Sequence, residues 1–329
     1  MSLEASGYRA PRALRNAHVQ SVLGSSVVRR WMAARAMAAT GAKTTVELVD
    51  GGDGVRLQGL HSTVPGREPK GLALLLHGWE GNADSTYMQL SASRLLARGL
   101  DVFRLNFRDH GGTHHLNEGI FHSCLIDEVV HAAVDVARRF QSDPDAPLRV
   151  GGYSLGGNFA LRLGLRAPGV GLAVSRIAVV CPVLDPAETM TAMEQGFPLY
   201  AWYFRRKWTR SLRRKQALFP ALLELDDQTL GLELRPLTGW LVERHTGFGH
   251  VDNYFDGYSI AGDRLASLAV PADILTSADD PVIPVAGFHA LQLPANVRVE
   301  LAEHGGHCGF LADGRLHGYA EDWIARRLA

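Results

Sequence analysis

Apolar residues recur along this chain in two alternating rhythms. "TTVELVDGGDGVRLQGLHST" reads as two strands joined by a Gly-Asp-Gly turn. "GLALLLHG" is an unbroken apolar run ending in glycine, the mark of a buried strand, and "STYMQLSASRLLARG" has helical spacing with a closing glycine. The pair repeats as "LDVFRLNF" with "LIDEVVHAAVDVARRF", and again as "PLRVGGYS" with "GNFALRLGLRA". "SRIAVVCPV", "VPADILTSADDP" and "VRVELAEHGGH" add three strands, and "GRLHGYAEDWIARRLA" closes the chain as an amphipathic helix. Such alternation predicts a mostly parallel central sheet with helices on both faces.

The rhythm breaks once. Residues 186–265 turn aromatic and basic, as in "FPLYAWYFRRKWTRSLRRKQALFP", without a clean strand. An insertion between two strands of one sheet reads as a helical cap. The core is then 44–185 together with 266–329, preceded by an arm, 1–43. Seven basic residues against the single acid Glu4 mark that arm, which reads as an extension packed on the body or leaning on a membrane.

Composition narrows the setting. Of the 329 residues 46% are hydrophobic, enough for a sizeable core, and Lys plus Arg balance Asp plus Glu at 34 each. A neutral chain with no binding motif gives no reason to expect nucleic acid. Cys124, Cys181 and Cys308 are too few and scattered for a disulfide framework, which suits a reducing, cytoplasmic compartment. No uncharged apolar run reaches the roughly 18 residues that span a bilayer, and the N-terminus lacks the apolar core of a secretory signal.

The chemistry gathers at "GGYSLGG". Gly152-Tyr153-Ser154-Leu155-Gly156 fits G-x-S-x-G, and its context is a strand before and a helix after. A serine on that sharp corner is held above the sheet as a nucleophile, with the Leu155 amide facing a developing oxyanion. A Gly-rich phosphate loop would carry a lysine beside its last serine or threonine, and none is here. A hydroxyl needs a base, and this architecture orders the residues Ser, acid, His. "VELAEHGGHCGFL" offers His304 and His307. His307 lies in the loop beyond the strand and is preferred. His304, nearer the strand, packs or solvates. "ILTSADDPVIP" offers Asp279 and Asp280, of which one turns to the imidazole while the other faces water. Asp280 is preferred for its spacing to Pro284, although it also reads as a helix N-cap before Pro281. Asp185 is a third choice. "LLLHGWEGN" supplies the second oxyanion donor, the amide of Trp79, and His77 reads as a structural histidine.

With these residues in place the sequence resembles the YheT-like family of α/β-hydrolases, related to embryogenesis-associated proteins and yeast ester synthases and acyltransferases. The likeness runs through "NAHVQS", "LLLHGWEGNADSTYMQ", "RLNFRDHGGT", "FHSCLIDEV", "GGYSLGGN", "ADDPVIP" and "GGHCGF". It implies the α/β-hydrolase fold and a triad of Ser154, Asp280 and His307. One departure stands out: "RDHGGT" puts Asp109 and His110 where small residues are common in that family. The family's H-x-x-x-x-D pattern linked to acyl transfer falls on His122 and Asp127, though "HSCLID" also reads as the start of a helix with Ser123 as its cap.

Two features remain. His110, His114, His115 and His122 crowd one loop but lack metal-ligand spacing, and read as a polar loop near the mouth of the site. Arg205 to Lys215 hold seven basic residues beside Tyr200, Trp202, Tyr203 and Phe204, which suits an amphipathic lid with solvated arginines, or a lipid surface. The expected activity is a serine hydrolase cleaving carboxylic, acyl or lipid-like esters, with no cofactor and no metal. The alternatives are an acyltransferase and a silent binding protein on the same scaffold. A small-molecule ester or lipid is the expected partner, with peripheral membrane contact through the arm or the cap.

Overall fold

All five residues of Leu72–Leu76 are buried, which demands cover on both faces of the strand. The computed structural model, which describes residues 3–143, 146–223 and 225–329, supplies it. Nine strands form one sheet: β1 (Glu4–Ala5), β2 (Lys43–Asp50), β3 (Arg56–Thr63), β4 (Leu72–Leu76), β5 (Asp101–Leu105), β6 (Leu148–Tyr153), β7 (Val174–Val180), β8 (Ala272–Ser277) and β9 (Val297–Ala302). Their order is β1-β9-β8-β7-β6-β4-β5-β3-β2. β3 pairs antiparallel with β2 and β5, and every other pairing is parallel.

Helices α1 (Ala17–Gly24) and α2 (Val27–Ala39) precede the core. Within it run α3 (Thr86–Ala97), α4 (Ile126–Phe140) and α5 (Leu155–Arg166). Between β7 and β8 come α6 (Pro186–Gln195), α7 (Pro198–Leu218), α8 (Asp227–Leu230), α9 (Leu234–His245) and α10 (Val251–Tyr258). The chain ends through α11 (Ala286–His289) and α12 (Tyr319–Leu328). One core holds α4, α5 and the β7–β8 helices against the sheet, and a second holds α3 and α12 on the opposite face. Among the described residues no helix is long and apolar enough to cross a membrane.

The arm is built into this frame, apart from residues 1 and 2, which lie outside the described residues. Glu4 and Ala5 form β1, a strand that the sequence pattern does not announce, and pair with Glu300 and Leu301 of β9. Arg29 is buried and meets Glu321 of α12 at 2.5 Å. The closing helix is also shorter than its pattern predicts, starting at Tyr319; Leu311 and Gly318 form a β-bridge before it.

Candidate active site

β6 hands over to α5 at Ser154, whose backbone has φ 53° and ψ −121°, a region that L-residues occupy only under constraint. The constraint comes from packing. A Cβ at Gly156 would lie 2.3 Å from the carbonyl oxygen of Leu76 and 2.4 Å from that of His77, so only glycine lets α5 start so close to the end of β4. The Ser154 amide donates to Val180 of β7, and its carbonyl accepts from Gly157 and Asn158. Held in this way, Ser154 Oγ stands 3.0 Å from His307 Nε2.

His307 Nδ1 meets Asp280 Oδ2 at 2.9 Å and Oδ1 at 3.2 Å. Asp280 Oδ1 also accepts from the amides of Val282 and Ile283, at 2.8 and 3.0 Å. The fully buried carboxylate of Asp280 is thus the imidazole partner and also holds the turn after it; it is not a helix N-cap, because no helix starts at Pro281 and α11 begins only at Ala286. Asp279 requires a correction. It does not simply face water: its Oδ1 accepts from the amides of Gly305 and Gly306, both at 2.9 Å, and so shapes the loop that carries His307. His304 stays off the serine, with Nδ1 3.4 Å from Asp279 Oδ2. Asp185 caps α6 through the amides of Ala187 and Glu188.

The His307 loop leans on the arm, which sequence reasoning missed. The His307 amide donates to Ser21 Oγ at 2.8 Å, and that hydroxyl donates to the Ala17 carbonyl. Buried Gln20 accepts from the Leu311 amide at 2.7 Å and donates to Tyr8 Oη and the Leu14 carbonyl. The available signal was "NAHVQS": Asn16 caps α1 through the amides of His18 and Val19, setting Gln20 and Ser21 on the loop side. Only distance along the chain concealed it.

Trp79 and Leu155 flank the serine. A Cβ at Gly78 would come within 3.3 Å of Ser154 Cβ, so the β4–α3 loop packs directly on it. Among the described residues neither the Trp79 nor the Leu155 amide donates to a protein acceptor, leaving both free for a bound oxygen. Their neighbour His77 is structural: Nδ1 meets the Gly78 carbonyl at 2.8 Å, and Nε2 accepts from the Phe107 amide. In front of Ser154 opens an apolar pocket walled by Trp79, Met190, Phe204, Trp208, Leu241 and Tyr254. Trp79 stacks on Phe204 of α7 at 5.1 Å between centroids.

The histidine loop also departs from expectation. His110 and His114 are buried, not arrayed at a polar mouth; His110 bonds the Arg108 carbonyl and His114 bonds Ser211 of α7. Burial, more than any neighbouring charge, pushes both down to about 4. His122 alone of the four lines the pocket. Burial and then the charges of Arg108 and Arg162 lower it to about 4, and its Nδ1 has no partner. Asp127 points elsewhere, exposed and paired with Arg166 of α5, so the structure does not join it to His122. Ser123 is not the helix cap: α4 starts at Ile126 after Leu125, while the Ser123 amide donates to Tyr254 Oη. Tertiary bonding has claimed the polar groups that local capping would use. Among the described residues, the grouping of metal-type ligand atoms is Cys181, His307 and Cys308, within 4.8 Å of one another, with Cys308 Sγ 4.0 Å from the ring nitrogen that faces Ser154.

Burial would make His307 less basic. The charge of Asp280 outweighs it, joined by the neighbouring Cys308 sulfur and the hydrogen bond at Nδ1, and holds the imidazole well above its ordinary value. This is an imidazole placed to receive a proton from a hydroxyl.

A family model for the alpha/beta hydrolase fold matches residues 73–313. The chain belongs to the α/β-hydrolase family. It is 28% identical over 263 residues to YheT of Escherichia coli (strain K12), whose name describes an esterase, covering 78% of this chain and 74% of that protein. The YheT-like resemblance holds on that ground. Among solved structures, an esterase from Pyrobaculum calidifontis superposes with TM-score 0.59 at 17% identity, over 97% of this chain and 96% of its own. A thermostable esterase from Pseudomonas putida ECU1011 gives TM-score 0.56 at 18% identity, over 95% and 97%. At such identities these two likenesses concern the fold. Taken together, the family model and the sequence relative make this an esterase-like α/β-hydrolase.

Proposed function

We propose that this α/β-hydrolase cleaves carboxylic esters with apolar acyl groups through an acyl-enzyme on Ser154. The observation that carries the reading is the continuous line from Asp280 through His307 to Ser154, with distances of 2.9 and 3.0 Å, ending at an apolar pocket.

Ser154 Oγ attacks the ester carbonyl as His307 Nε2 takes its proton, and the new C–O bond makes a tetrahedral oxyanion. The free amides of Trp79 and Leu155 receive that charge, each donor of this type being worth about 10²–10³ in rate. Asp280 fixes the tautomer that leaves Nε2 unprotonated and steadies the imidazolium once formed. The oxyanion collapses, the alcohol departs with the proton from Nε2, and the acyl group stays on Ser154. Water, giving its proton to the same nitrogen, then releases the acid and restores the hydroxyl. Acyl groups suit the wall of Trp79, Phe204, Trp208 and Met190 because little there competes for hydrogen bonds.

The test is a series of p-nitrophenyl esters of graded acyl length, run with the wild-type chain and with Ser154→Ala, alongside labelling by a fluorophosphonate. Turnover should fall about a million-fold in Ser154→Ala, and labelling should vanish with it. Labelling that survives Ser154→Ala, or no turnover of any ester, would return the chain to the class of binding proteins. Ester products formed in added ethanol would point to acyl transfer, for which the separation of His122 from Asp127 offers no support.

A further inference from the structure

Thirteen large apolar side chains are exposed among the described residues, and nine of them fall in two short stretches. Val19 and Val22 lie on α1, Val27, Val28 and Trp31 on α2, and Phe197, Leu199, Trp202 and Tyr203 at the start of α7. The stretches are far apart in sequence yet adjoin. His18 of α1 bonds Tyr200 of α7 at 3.0 Å, and its ring lies 4.8 Å from that of Phe197. α2 buries Arg29 and Ala33 and turns Trp31 outward, 63% exposed. The other four, Val46, Leu48, Val170 and Leu218, lie outside these stretches, so the apolar exposure gathers on this face, which presents it to something.

Charge says what. Residues 17–43 and 197–218 contain no Asp or Glu. The cations sit over the exposed rings at helical spacing: Arg35 on Trp31, Arg206 on Trp202 and Lys207 on Tyr203, at 5.4, 5.5 and 5.3 Å. Among the described residues Arg30, Arg35, Arg206 and Arg210 have no ion-pair partner, and all four are exposed. Aromatic rings with guanidinium groups above an aliphatic floor suit the boundary between lipid headgroups and acyl chains. A second copy seated on the same patch would bring like charges together, and four valines and a leucine find no counterpart on a nucleic-acid backbone.

We propose that α1, α2 and the start of α7 form one docking face for an anionic lipid bilayer surface. The next residues of α7, Phe204 and Trp208, line the pocket before Ser154, so docking would set the mouth of the site at the membrane. The docking itself goes beyond the ester-hydrolase reading and does not need it.

The test uses the full chain carrying Ser154→Ala, so that catalysis plays no part, in co-sedimentation with phosphatidylcholine vesicles with and without phosphatidylglycerol. Binding should require the anionic lipid and weaken with added salt. Trp31→Ser with Trp202→Ser should lower it about tenfold or more, and Arg30→Gln, Arg35→Gln, Arg206→Gln and Arg210→Gln about fivefold each. Val46→Ser, at an exposed valine on β2 away from the patch, should leave it unchanged. Circular dichroism checks that each variant is folded. Binding equal for both lipids, binding that the patch variants do not alter, or no binding at all would overturn the proposal. So would a dimer, seen by ultracentrifugation without lipid, that Trp31→Ser dissociates.

Discussion

His307 must be neutral at Nε2 to accept a proton, and its surroundings favour the opposite. Burial alone would lower its pKa, but Asp280 raises it well above the ordinary imidazole value. Activity should therefore be lost on acidification from a midpoint above about 6.5, which a pH profile of kcat/KM measures. Asp280→Asn removes the raising charge and leaves burial in command, so the midpoint should move down while turnover falls about 10⁴-fold. Burial also lifts Glu80 to about 7, against the charge of Lys207. Glu80→Gln is the control, and it should leave the acid limb in place. The same shift enters stability: a group whose pKa rises on folding stabilises fully below its unfolded value, near 6.5, and that contribution fades as pH climbs through the folded value. At this scale Ser154 and His307 were legible because each stands in a glycine-rich turn at the end of a strand. Asp279 was misread because loop amides, invisible in a sequence, compete with water for its carboxylate.

At the scale of an element, α7 shows what periodicity conceals. Its basic run was expected to meet solvent, yet Lys215 is buried and pairs with Asp109 at 2.8 Å. The spacing held a signal, since Trp208, Leu212 and Lys215 are buried at intervals of four and three on one stripe. Lys215 also donates to the carbonyls of His114 and Asn117, tying the β7–β8 helices to the loop after β5. The departure "RDHGGT" thus has a structural partner: Asp109 occupies the place of a small residue because a lysine arrives from α7 to neutralise it. Lys215→Met leaves a buried carboxylate unpaired and should cost about 3–5 kcal/mol, read from the urea midpoint. Asp109→Asn combined with Lys215→Met should recover much of that loss, since neither charge is then stranded.

Across the whole molecule, the first 40 residues help to place a histidine near the far end. Ser21 bonds the His307 amide, and Gln20 and Tyr8 bond the backbone of Leu311. Ser21→Ala should lower kcat about ten- to a hundredfold with KM little altered, because a loop shift of an ångström misdirects the imidazole without touching the acyl pocket. Arg29→Met strands Glu321 in the seam between α2 and α12 and should destabilise the fold by about 3–5 kcal/mol. If Arg29→Met also raises the rate at which proteases cut the arm, the arm opens as a unit.

What the sequence determined by itself was local in origin. Strand and helix rhythm, and the glycines that permit a strained serine corner, follow from neighbours a few residues apart, and the order of serine, acid and histidine from the succession of strands that this rhythm announces. Tertiary structure decided the rest: which carboxylate turns to the imidazole, that His122 and Asp127 part company, that Lys215 goes inward, and that the arm braces the loop of His307. Each of these depends on pairing buried polar groups that lie far apart in the chain, and an unpaired buried group costs too much for local preference to prevail.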